Sequence, residues 1–169
     1  MVAVTSSGTA VITLPADDQI LITREFDAPK HLVYKALTTP ELVKRWWSAK
    51  RGAVTVAEID LRVGGKWRYA MTTEDGFEVA FHGEYREIDP DGRMVTTEVY
   101  EMPGVDPADA DANATVNTAT LTETDGRTTL TVLIECPSAL VRNAIMESGM
   151  EAGLQDAYDL LEEVAVSLS

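Results

Sequence analysis

Three Asp-Gly pairs, Asp75-Gly76, Asp91-Gly92 and Asp125-Gly126, punctuate the stretch from Ala53 to Cys136 and limit the possible folds more than any other feature of the chain. Glycine accepts positive φ without steric penalty, so each pair predicts a tight turn between antiparallel strands. Three such turns predict a meander. Its one long interruption, Met102 to Ala114, contains Pro103-Gly104, Pro107, Asp106, Asp109 and Asp111, and reads as a mobile, solvated loop.

The flanks of the meander complete the pattern. Gln19 to Phe26 has the apolar content of a first core strand. Asp27-Ala28-Pro29 then opens a helix, with Asp27 as capping residue, Pro29 in the first turn, and Leu32, Val33, Ala36 and Leu37 at helical spacing. Thr38-Thr39-Pro40 stops it, and a second short helix runs from Pro40 to Trp46 and Trp47. After the strands, Leu140, Ala144, Met150, Leu154, Ala157, Leu161, Val164 and Leu168 predict one long amphipathic helix from Ser138 to about Leu168. Residues 1–18 are expected to be an N-terminal extension or an added edge strand, and residues 19–169 a single domain, since one core ordinarily organises roughly 100 to 200 residues. The fold class is α+β: a curved antiparallel sheet wrapped around a long C-terminal helix, with two short helices after the first core strand.

Composition removes several functions. A net charge of −14 would repel a phosphate backbone, so neither nucleic acid nor an anionic membrane surface is an expected partner. Lys44, Arg45, Lys50 and Arg51 cluster, but read as a solvated helix face. The one cysteine, Cys136, precludes an internal disulfide, and the first residues lack a basic segment followed by an apolar one, which predicts a cytoplasmic protein. No apolar run of about eighteen residues predicts a membrane span. Two histidines and one cysteine without ligand spacing predict no metal site, and no cofactor is expected. Asp106, Asp109 and Asp111 lack the spacing and terminal Glu of a calcium loop.

Side chains alternate along strands, so Trp67, Tyr69 and Met71 share one face, and Lys66 and Arg68 the other. The aromatic face is expected to point inward, joined by Phe77, Val79, Phe81 and Tyr85 and by Leu130, Val132 and Ile134. His82 and Glu84 then meet solvent, and His31 lies on the outside of the first helix. No catalytic residue is assigned. Asp60 and Arg62 read as a structural ion pair bracing Gly64-Gly65. Glu98 lies in line with Met94, Thr96 and Tyr100 and could reach the interior, but is expected to point outward, because charged side chains are rarely buried.

Arg24-Glu25-Phe26-Asp27-Ala28-Pro29, Ala36-Leu37-Thr38-Thr39-Pro40-Glu41 and Trp46-Trp47 resemble the opening of a family within the START-like superfamily, the stand-alone homologues of the heat-shock-protein-90 ATPase activator. Asp60-Leu61-Arg62-Val63-Gly64-Gly65-Lys66-Trp67-Arg68, Gly83-Glu84-Tyr85, Gly126-Arg127-Thr128 and Ser148-Gly149-Met150-Glu151-Ala152-Gly153 look like its later landmarks, in order. The resemblance covers about residues 19 to 165 and implies the helix-grip fold. Relatives of that fold bind lipids, cyclise polyketides, sequester antibiotics or contact chaperones, so function must be argued from the site.

A bent sheet closed by one helix is expected to leave a central gap. The residues expected to line it are Trp46, Trp47, Trp67, Tyr69, Met71, Phe81, Tyr85, Met150, Gly153 and Leu154, with one of the adjacent tryptophans anchoring and the other at the mouth. The expected partner is a small hydrophobic ligand, aromatic molecules included. The alternatives are a protein-interaction module contacting a chaperone or a second copy of the chain, and an enzyme of the cyclase or hydrolase kind.

Overall fold

The computed structural model describes residues 9–101 and 104–169. The readings that fall on Met1 to Ser7 and on Met102-Pro103 lie outside the described residues. The elements are β1 (Val11–Thr13), β2 (Gln19–Phe26), α1 (Lys30–Thr38), α2 (Pro40–Trp46), β3 (Gly52–Ile59), β4 (Lys66–Thr73), β5 (Glu78–Asp89), β6 (Arg93–Tyr100), α3 (Pro107–Ala112), β7 (Thr115–Thr124), β8 (Arg127–Glu135), α4 (Ala139–Glu147) and α5 (Met150–Ser167). The strands form one antiparallel sheet in the order β1-β2-β8-β7-β6-β5-β4-β3. The meander accounts for β3 to β8, and β2 closes onto β8 from the other end of the chain. The α+β helix-grip architecture expected from the sequence is the one observed.

Four local expectations are corrected. Asp27 does not cap α1; the residue before the helix is Pro29, which has no side-chain cap, and the amide of Lys30 donates instead to Glu123 Oε1 of β7 at 2.8 Å. A sequence window cannot reveal a cap supplied from another strand. The segment after β6 is not wholly irregular, because Asp106 accepts from the amide of Ala108 at 2.9 Å and opens the one-and-a-half-turn α3. Phe77 lies in the turn before β5 rather than on its inner face, and is 69% exposed.

The fourth correction bears on the site. The C-terminal helix is broken, with α4 ending at Glu147 and α5 beginning at Met150 around Gly149, whose φ of 83° is left-handed. An L side chain there would lose roughly 1–2 kcal/mol, so glycine permits the break. Helical spacing carried across the break made the two pieces look continuous. Gly149 and Gly153 therefore do not share a side of one helix.

The break divides two environments. In the second half of α5, Ala157, Tyr158, Leu161, Val164 and Ala165 are buried against Phe26, Leu32, Val33 and Leu130 in the main core. Arg24 of β2, 1% exposed, ties this half down: it donates to Asp159 Oδ1 at 2.9 Å and lies 3.3 Å from Glu162 Oε1. By contrast α4 has no buried residue, and Met150 and Leu154 in the first turns of α5 are only half-buried.

Candidate functional site

Strand register arranges the inner face of the sheet in rows. One row crosses Ala57, Tyr69, Phe81 and Tyr100 on β3 to β6. The next holds Ile59, Trp67 and Gly83, and then Glu98, which stands opposite Gly83 between the pairs His82↔Val99 and Tyr85↔Thr96; Thr115 of β7 faces Glu98. A third row runs Tyr85, Thr96, Asn117 and Ile134. A fourth runs Ile88, Met94, Ala119, Val132 and Ile22.

The first row is an aromatic chain. Trp47, one residue beyond α2, meets Tyr69 edge-on at 5.6 Å between ring centroids and Phe81 at 5.9 Å. Tyr69 continues to Trp67 at 4.8 Å, and Phe81 stacks on Tyr100 at 4.9 Å. Trp46, its neighbour, is buried and donates its indole N–H to the Ala36 carbonyl at 3.0 Å, which locks α2 onto α1. About 100° separates adjacent residues around a helix, and here it separates an anchoring indole from one that lies on the aromatic chain.

The second row explains a glycine. A Cβ on Gly83 would collide with the carbonyl of Thr97 and stand 2.7 Å from Trp67 Nε1, so the Trp67 ring lies across Gly83. That nitrogen is shielded from solvent and has no hydrogen-bond partner among the described residues. An unpaired buried donor is rare and calls for an explanation.

Glu98 points inward, contrary to the expectation. It is surrounded by protein, and burial raises its carboxyl pKa; a hydrogen bond from Asn117 acts in the opposite direction. Its charge reaches Tyr69 and Tyr158, whose phenols are raised chiefly by burial and secondarily by nearby groups including Glu98. Thr115 fixes Asn117 by donating to its Oδ1 at 3.0 Å, and the phenols of Tyr69 and Tyr85 lie close enough to influence one another. Glu98 nevertheless keeps accessible surface, as do Tyr69, Phe81, Thr96, Asn117, Ala119 and Val132. Side chains enclosed by protein yet incompletely covered mark incomplete packing between the sheet and α4–α5.

The remaining expected residues separate. Met71 is half-buried toward the far end of β4, and Tyr85 is buried at 3%. Gly153 does not look onto the sheet: the nearest atom to a Cβ there would be Arg51 Nη1 at 3.7 Å, beside the Arg51–Asp156 ion pair. A surface depression at this place is lined mostly by charged residues, Lys50, Arg51, Asp156, Asp159 and Glu163, beside Ala49 and Leu160.

On the outer face His82 meets Glu101 at 2.8 Å, and Arg68 grips both oxygens of Glu101 at 2.9 and 3.0 Å. The Arg68 hydrogen bond, followed by those of other neighbours, holds the Glu101 carboxyl below its ordinary value. Glu84 is exposed, as is His31. Arg62 pairs with Asp60 at 2.8 Å, and the amide of Gly65 donates to the Arg62 carbonyl, which is the expected brace. Among the described residues no group of three His, Cys, Asp or Glu side chains could hold a metal ion, and no helix is long and apolar enough to cross a membrane.

Sequence reasoning missed the Glu98–Asn117–Thr115 group and Arg24. Parity placed Glu98 in line with Met94 and Thr96, but its partners lie across strands whose register was unknown.

The model of the family described as "Activator of Hsp90 ATPase homolog 1-like protein" matches residues 27–165. No curated protein sequence matches the chain. Among solved structures, protein Ms6760 from Mycobacterium smegmatis is 25% identical with a TM-score of 0.80, the match covering 92% of this chain and 96% of that one. A Rhodobacter sphaeroides protein gives 22% identity and a TM-score of 0.83 over 94% and 99% of the two chains. One from Arthrobacter aurescens gives 23% and 0.81 over 93% and 91%. At 22% and 23% the last two bear on the fold alone.

Proposed function

Because the chain belongs to the activator of Hsp90 ATPase homolog 1-like family, whose members bind hydrophobic ligands or act in chaperone systems, we propose that it binds a small hydrophobic ligand between the sheet and α4–α5. The observation that carries this reading is the contrast along the C-terminal helices. The second half of α5 is sealed onto the core, whereas α4 has no buried residue, Met150 and Leu154 are only half-buried, and inner-face residues of β4 to β7 keep accessible surface. Protein interiors otherwise close-pack, so apolar and aromatic side chains left incompletely covered at the centre of a fold are suited to receive a ligand.

The ligand's walls are the aromatic chain of Trp47, Tyr69 and Phe81 on one side and Ala119, Val132 and Leu154 on the other. Trp47 stands at the entrance and Trp46 holds it there. Nile red, whose emission shifts to the blue in apolar surroundings, tests the reading. It should bind saturably at one site. Ala119→Phe, which adds a ring in the middle of the inner face, should abolish that binding while the protein stays folded. Undiminished dye binding in the Ala119→Phe protein would reject the site.

An enzymatic role is the second reading, and Glu98 is the observation that favours it, since an enclosed carboxyl with a raised pKa can serve as an acid or base. Turnover that disappears in Glu98→Gln while dye binding persists would establish it.

A further inference from the structure

The turn between α2 and β3 is held in a costly conformation at the place where the proposed site opens. Ala49 and Lys50 are consecutive residues with φ of 54° and 63°, in the left-handed region that L side chains disfavour. Two such residues in succession persist only where their surroundings impose them. Both ends of the turn are fixed. Before it, Trp46 is buried and its indole N–H donates to the Ala36 carbonyl at 3.0 Å. After it, Gly52 packs so closely on β4 that a Cβ there would collide with the Thr72 carbonyl. Between these points lies Trp47, whose ring rests edge-on against Tyr69 and Phe81. An ion pair fastens the turn to α5, Arg51 Nη2 meeting Asp156 Oδ2 at 2.7 Å across a surface depression, with both side chains about half exposed.

We propose that residues 47–51 are a sprung gate over the ligand site: the Arg51–Asp156 ion pair holds the turn shut, and its release lets Ala49 and Lys50 relax to negative φ and carries the Trp47 ring away from Tyr69 and Phe81. The proposal rests on the ligand-binding reading above and assigns how a ligand enters that site. An exposed ion pair is weak, which suits a latch that opens often. The strain works against the latch. Left-handed backbone raises the energy of the shut turn and not that of the open one, so it brings the two states closer together. A ligand that cannot pass the shut ring enters at a rate set by the fraction of molecules that are open, while the shut turn is common to the free and the filled protein. A change to the latch or to the strain therefore alters the rates of entry and exit by the same factor and leaves the affinity unchanged.

Stopped-flow fluorescence with Nile red on the full chain measures both rates, entry from association at increasing dye concentration and exit from dilution of the loaded protein. Lys50→Gly removes strain without touching the latch, and should slow entry and exit about three- to tenfold. Lys50→Ala removes the same charge but keeps the strain, and should match the wild type. Asp156→Asn weakens the latch, and should speed both rates about two- to fivefold, the range that an exposed ion pair supports. The dissociation constant should stay within about twofold in all three variants, because free and filled proteins share the shut turn. Rates that do not move in Lys50→Gly and Asp156→Asn, that move in the same direction in both, or that move as much in Lys50→Ala as in Lys50→Gly would overturn the gate and leave the binding site standing. A change in affinity carried by the exit rate alone would do the same. Absence of saturable Nile red binding by the wild type would overturn the site and the gate together.

Discussion

Arg24 offers an asymmetric test of how α5 is held. Its side chain is fully buried, whereas its partners are not: the Asp159 side chain is 55% exposed and that of Glu162 20%. The guanidinium also donates to the Glu25 carbonyl at 3.0 Å and lies 5.0 Å from the Phe26 ring centroid. Replacing Arg24 with Met removes the cation, keeps most of the volume, and leaves two carboxylates that water can still reach. The lost hydrogen bonds to charged groups, at about 1.5–3 kcal/mol each, are then offset in part by the relieved burial of a charge and by solvent screening at the acids. The net loss should be about 1–2 kcal/mol. The converse change, Asp159→Asn with Glu162→Gln, leaves a buried cation without a counter-charge, which typically costs about 3–5 kcal/mol. For a chain of this length that second figure lowers the melting temperature by roughly 6–20 °C. Urea unfolding of the three proteins gives both numbers. If Arg24→Met is as damaging as the double acid variant, Arg24 is not the buried member of this cluster, and the anchoring of α5 described above is wrong.

Three further predictions concern the C-terminal helices and two glutamates of opposite environment. Gly149→Ala should destabilise the protein by about 1–2 kcal/mol in denaturant unfolding because its φ of 83° is strained for an L residue, and a neutral result would mean that α4 and α5 are not broken there. Gly153→Ala should instead stabilise it by about 1 kcal/mol, since the new methyl meets nothing closer than Arg51 Nη1 at 3.7 Å and helix propensity improves; a loss would place Gly153 against a surface not seen here. Glu101 and Glu98 should leave opposite marks on stability against pH. Glu101 has a lowered carboxyl pKa, so its contribution is present above the unfolded carboxylate value near 4.3 and is lost as pH falls through the folded one, and Glu101→Gln should flatten the acid limb. Glu98 has a raised one, so its contribution is present below the unfolded value and is lost as pH rises through the folded one, and Glu98→Gln should remove that decline. Chemical denaturation between pH 3 and 8 measures both, and unchanged profiles in the variants would contradict the assigned environments.

The fold was legible because its signals are local. The Asp-Gly turns, the Pro40 interruption and the two-residue alternation each act within a few residues, and together they define strands, short helices and order. What was illegible depends on pairing across the sheet or between sheet and helix. Glu98 looked like an outward charge because composition favours exposed carboxylates, and only the register that sets it opposite Gly83 and beside Asn117 shows where it points. Arg24 fell in the same parity as Ile20, Ile22 and Phe26, yet nothing within β2 announces the acids of α5 that hold it. The cap that Glu123 supplies to α1 is hidden for the same reason. Gly149 shows the converse failure, in which a periodic apolar stripe concealed a left-handed residue. The adjacent tryptophans divided as neighbouring helical positions must, although the sequence alone did not say which of Trp46 and Trp47 would be the anchor.

The central claim is that a ligand sits against the inner face of β4 to β7 beneath α4 and the first turns of α5. Mapping fluorene onto the protein by changes in its amide 15N–1H spectrum tests this most directly. Shifts should concentrate at Thr96, Glu98, Asn117 and Ala119 and at Met150 and Leu154, with outer-face positions such as Thr118 and Leu133 little affected. Shifts confined to the outer face or to the exposed turn at Phe77, or no saturable shifts at all, would contradict it.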